Sequence, residues 1–142
     1  TAGIGYAFLF FIAFGMFAAG IVITMVGMTT VFVPQDLVYM TMCGADIENI
    51  NPKLIPLIAH DRAGFGGGLA CIGFTIFLII KCATPSKNLW QIIFLTLLIG
   101  FSSAIGIHFI IGYTILSHVA PAFLGGLGFI FGIFMVFKKM MR

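Results

Sequence analysis

Few side chains in this sequence can do chemistry, and the most informative are its three histidines: His60, His108 and His118. Imidazole suits copper and zinc. It can ligate a haem iron. It can also hydrogen-bond a quinone head group while passing protons, because it titrates near neutral pH. The candidate cofactors are thus haem b, Cu or Zn, or a quinone, with His60, His108 and His118 as the binding residues. Asp61 adjoins His60 and would join the three histidines in a metal set. No H-E-x-x-H pattern is present, and no helix stacks two histidines. The competing reading is structural: histidines near a membrane surface that hydrogen-bond across helices and cap their ends.

A second candidate lies in the run His60-Asp61-Arg62-Ala63-Gly64-Phe65-Gly66-Gly67-Gly68. If a helix begins there, its free N–H groups attract anions. Arg62 offers a bidentate fork, and Gly66 and Gly67 would let a phosphate come close. A lipid phosphate or an anionic substrate is the implied ligand. The structural alternative has Asp61 capping the helix, Arg62 reaching toward headgroups and the glycines packing a neighbour. Met40, Met42 and Cys43 are soft ligands that could attract Cu(I), or simply apolar surface. Cys43, Cys71 and Cys82 are odd in number and include no C-x-x-C, so dithiol exchange chemistry is missing. No motif names a reaction, and no catalytic residue is assigned.

The elements that must position these residues follow from composition. The chain has 142 residues, 61% hydrophobic and 8% charged, with a mean hydropathy of +1.21. Soluble domains run at about 45–50% apolar and about 25% charged, so the composition points to an integral membrane protein. A net charge of +3, dispersed along the chain, excludes a nucleic-acid partner. A membrane span needs about 20 apolar residues. Four runs qualify: residues 3–28, 63–82, 89–111 and 117–137. The first is too long for a signal peptide and lacks a basic start, so it reads as a retained span. The expected fold is a single all-α transmembrane domain, a four-helix bundle with a structured outer segment over 29–62. That segment holds all four acids, Asp36, Asp46, Glu48 and Asp61, together with Pro34, Pro52 and Pro56. Its apolar residues predict short helices on the membrane surface or on the bundle.

Lys81 and Lys87 flank the second turn, and Lys138, Lys139 and Arg142 follow the fourth span. The positive-inside rule places these ends, and both termini, in the cytoplasm, as in a bacterial inner membrane. His60, His108 and His118 then come to one level on the outer side. Each tops a row of small residues at helical spacing: Gly64, Gly67, Gly68 and Cys71 below His60; Gly100, Ala104 and Gly112 around His108; Ala122, Gly125, Gly126, Gly128 and Gly132 below His118. Small rows mark helix–helix interfaces, so all three imidazoles are expected to point inward. Trp90, at the start of the third span, reads as an interfacial anchor.

The segments Val33-Pro34-Gln35-Asp36-Leu37-Val38-Tyr39-Met40 and Asn51-Pro52-Lys53-Leu54-Ile55-Pro56-Leu57-Ile58-Ala59-His60-Asp61-Arg62-Ala63-Gly64-Phe65-Gly66-Gly67 resemble a pattern of small, uncharacterised four-span bacterial membrane proteins. The resemblance covers about a quarter of the chain and implies no activity. Three functional expectations stand side by side. The first is an accessory or structural subunit of a larger membrane complex, with lipids and other membrane subunits as partners. The second is a haem-, metal- or quinone-binding redox protein using His60, His108 and His118. The third is a lipid- or anion-binding protein built on Asp61 and Arg62.

Overall fold

The computed structural model describes residues 2–141; Arg142, one of the basic residues used to orient the chain, lies outside them. Among the described residues there are six α-helices and no strand: α1 (Ala2–Met28), α2 (Pro34–Met40), α3 (Gly44–Ile50), α4 (Leu54–Cys82), α5 (Lys87–Ile110) and α6 (Leu116–Met140). Helices α1, α4, α5 and α6 are long and apolar enough to cross a membrane. At 1.5 Å per residue, even the 24 residues of α5 reach about 36 Å, more than a hydrocarbon core.

The ends of these helices follow local chemistry. Asp36 reaches back to accept a hydrogen bond from the Val33 N–H at 2.9 Å, starting α2. Asp46 does the same for the Cys43 N–H at 2.7 Å, starting α3. Ser86 caps α5 by accepting from the Leu89 N–H. Two short helices therefore occupy residues 34–50, while the last part of the 29–62 segment joins α4. The second span does not begin at residue 63. Asn51 turns the chain, its side-chain oxygen accepting from the Lys53 N–H, and α4 starts at Leu54. Pro56 is tolerated there because first-turn N–H groups have no helical acceptor.

The chain divides into two compact units, with the boundary falling inside α1 and α4. The first unit comprises Thr1–Gly15 with Gly73–Arg142. Its core is Leu9, Ala13, Ile93, Leu97, Phe129, Ile133 and Val136, none more than 1% exposed. Rings seat themselves against glycines of α6. Phe101 lies over Gly125, where an added Cβ would stand 2.8 Å from the ring, and Phe8 and Leu9 close over Gly132. Trp90 donates its indole N–H to the Ile133 carbonyl at 2.9 Å and stacks on Phe94 at 4.9 Å. Its hydrogen-bonding end therefore serves an internal contact, beyond the anchoring role its position suggested.

The second unit is Met16–Ile72. Here α1 and α4 meet backbone to backbone. A Cβ on Gly20 would collide with the main chain of Ala70, and one on Gly27 would stand 2.7 Å from the Ala63 nitrogen. Thr24 bonds back to the Gly20 carbonyl at 2.9 Å and keeps its hydroxyl satisfied. The packed face of α4 thus includes Ala63, Gly66 and Ala70. The expected interface row below His60 is not that face: Gly64, Gly68 and Cys71 are exposed, and no atom comes within 4 Å of a Cβ built on Gly64, Gly67 or Gly68. Small residues ring this helix, so their spacing alone could not choose the side. Likewise Gly100 is open, and α5 packs through the large residues Ile93 and Leu97 instead. The row below His118 does pack, with Gly126 and Gly132 buried in α6.

Candidate functional site

The α5–α6 hairpin gathers three rings at one end. Helix α5 closes with Gly112 at φ +74°. The Tyr113 N–H bonds to the His108 carbonyl and the Gly112 N–H to that of Phe109. This pair of bonds is the Schellman arrangement, and it needs the left-handed conformation that glycine adopts without strain. The turn folds Tyr113 back beside His108 and lets α6 begin at Leu116 with His118 in its first turn. The Tyr113 ring lies nearly parallel to that of His118, with centroids 4.4 Å apart and 21° between planes. His108 and His118 stand 5.2 Å apart, and His108 and Tyr113 5.6 Å. Tyr113 is buried.

The orientation of His108 is fixed. Its Nδ1 lies 2.6 Å from the Ala104 carbonyl oxygen, which can only accept, so Nδ1 carries a proton. The Nε2 atom is left to bind something else. The sequence pointed to His108 and His118 but not to Tyr113. The signal available was its position midway between the two, five residues from each.

His60 stands apart in kind. It and Asp61 form a 3.0 Å pair whose side chains are 84% and 73% exposed. The expectation that His60 tops a packed stripe and turns inward is corrected. On a helix, consecutive residues point about 100° apart; the packed face of α4 carries Ala63, Gly66 and Ala70, and His60 falls off it. Among the described residues, no three His, Cys, Asp or Glu side chains are grouped to hold a metal ion. Within the first unit the structure brings His108 and His118 together.

Arg62 turns to the protein. Its Nη1 donates to Asp36 Oδ2 at 2.7 Å, with the side chains 24% and 7% exposed. The same oxygen accepts from the Val33 N–H. Asp36 was not singled out from the sequence, because a partner 26 positions away leaves no local mark. Residues 62–68 lie two to four turns inside α4, where N–H groups are committed to carbonyls one turn back. The helix start that an anion site over Arg62, Gly66 and Gly67 relied upon is at Leu54 instead. Gly66 faces the Thr24 backbone, while Gly67 is open.

A haem does not fit between His108 and His118 as placed. Imidazoles on opposite faces of one iron, with metal–nitrogen bonds of about 2 Å, put their centroids about 6 Å apart, and these stand at 5.2 Å. Outside the spans, Asp46 is held below the ordinary carboxylate range by hydrogen bonds from the Cys43 thiol and then from its N–H. Cys43, Cys71 and Cys82 are all free thiols. Comparison with protein-family models, with curated proteins and with solved structures finds no match to this chain.

Proposed function

We propose that this chain is a non-catalytic membrane subunit that packs into a larger membrane assembly. The carrying observation is the two-sidedness of α4. One face, with Gly66 and Ala70, closes on α1, while Gly64, Gly67 and Gly68 have open space above them. Glycine inside a helix costs about 1 kcal/mol relative to alanine, and lipid contact returns nothing for it. Close approach of another helix does. Helix α5 agrees in character: its most apolar window is only 11% buried within the chain. In this reading the four apolar helices span a bacterial inner membrane. Lys81, Lys87, Lys138 and Lys139 lie on the cytoplasmic side with both termini, and the acidic outer segment faces away. Lipids cover the remaining apolar faces.

Native mass spectrometry of the detergent-extracted particle tests this, run on the wild type beside Gly64→Leu and Gly68→Leu. The expected result is a stoichiometric membrane partner in the wild type that is lost in both variants, while the variants keep wild-type helicity. A wild-type chain that leaves the membrane alone, or partners retained by both variants, would overturn it.

A further inference from the structure

We propose that the end of the α5–α6 hairpin binds one first-row transition-metal ion through His108 and His118, with Zn2+ as the probe ion. The inference rests on the hairpin alone and is independent of the subunit reading. Three observations carry it. First, His108 is set as metal-binding histidines commonly are: a backbone carbonyl, that of Ala104, holds the opposite ring nitrogen at 2.6 Å and leaves Nε2 to bind. Second, the spacing suits one shared ion. Two imidazoles on a tetrahedral centre, each bonded at about 2 Å, put their ring centroids about 5 Å apart; His108 and His118 stand at 5.2 Å. Third, the hairpin is built to hold that spacing. The glycine turn at Gly112 and the buried Tyr113, stacked on His118 at 4.4 Å, restrict both rings before any ion arrives.

No third His, Cys, Asp or Glu joins these two among the described residues. The ion therefore keeps coordination positions for water or for an outside donor. An ion with open positions is the arrangement of binding and reactive sites rather than of closed structural ones. Tyr113 is a positioning residue here, acting through the ring stacked on His118.

The test uses the full chain in detergent, stripped with chelator and titrated with Zn2+ alone against a chromophoric competitor. One ion per chain is expected. His108→Ala and His118→Ala should each weaken binding by at least about tenfold, whereas His60→Ala should leave it within about twofold. Zinc-edge X-ray absorption of the loaded wild type should show scattering from two imidazoles. His108→Gln guards against a folding artefact, since it keeps size and polarity: helicity should be retained and the affinity lost. Equal affinity in the His108→Ala/His118→Ala double variant would overturn the proposal. So would loss of binding in His60→Ala as large as in His108→Ala, or a spectrum without imidazole scattering.

Discussion

The two units use glycine in different proportions. In Met16–Ile72 the glycines bring backbones together: Gly20 and Gly27 of α1 approach the main chain of α4 itself. In the other unit they mostly make room for side chains, as where Gly125 receives the edge of Phe101 and Gly128 receives Ile12, although Gly5 also lies against the Gly132 carbonyl. Aromatic contacts such as Phe8–Phe131 at 4.8 Å and Phe101–Phe129 at 5.9 Å continue that pattern. Among the described residues, the backbone-tight unit also carries the one strongly buried carboxylate, Asp36, 5% exposed. A unit closed through main-chain contacts cannot yield locally, whereas a ring can turn. The two should therefore answer perturbation differently.

The largest expected effect removes the charge partner in the backbone-tight unit. Arg62→Ala withdraws the guanidinium from a carboxylate whose side chain is 7% exposed, while the Val33 N–H still donates to Oδ2. Stranding one member of a buried pair costs about 3 kcal/mol. Helix α2 should lose its attachment to α4, seen as faster amide exchange over residues 34–40 and a lower melting temperature. Asp36→Asn combined with Arg62→Gln should restore part of the loss, because no charge is then stranded. Unchanged exchange in Arg62→Ala would show that the pair adds nothing to the docking of α2.

The next effect is smaller and addresses the contrast directly. Gly20→Ala places a methyl against the Ala70 main chain, which cannot move alone. Gly125→Ala places one 2.8 Å from Cε1 at the far end of the Phe101 ring. Overpacking a tight contact costs about 1–3 kcal/mol. Gly20→Ala should fall in that range and Gly125→Ala below about 1 kcal/mol, since ring rotation relieves it. Thermal unfolding in the same detergent measures both. Equal losses would erase the distinction between the units.

Much of this was legible in the sequence, and the reasons for the gaps are physical. Long apolar runs dictate helices whatever surrounds them, so four long apolar helices could be read directly. The acids three residues inside α2 and α3 are ordinary start signals. The start of α4 was placed late, because Leu54, Ile55, Leu57 and Ile58 suit a surface segment as well as a first turn. The packed face of α4 differs from the expected one because small residues stand on both sides of the helix, Gly66 and Ala70 against α1 and Gly64, Gly67 and Gly68 in open space, so their spacing alone did not choose. The approach of His108 and His118 could be anticipated from a short turn joining two helices. The ion pair of Asp36 with Arg62 could not, since nothing in the spacing of 26 residues favours that partner over another.

The smallest expected effect lies at the start of α3, where Asp46 is fully exposed and held by Cys43. Its carboxyl is pulled below its ordinary value in the folded chain, so the folded state favours the ionised form. The contribution is therefore complete above the unfolded value of about 3.9 and fades as pH falls through the lower folded value. Amide exchange at Cys43 should be constant from neutral pH to about pH 5 once corrected for intrinsic rates, and should accelerate below about pH 4. Asp46→Ala should show the faster exchange at every pH and no acid step. Exposure keeps this effect local, so α4 should not register it. A matching acid step in the α4 amides would mean that the short helix is coupled to the α1–α4 contact, and that the backbone-tight unit yields as one body.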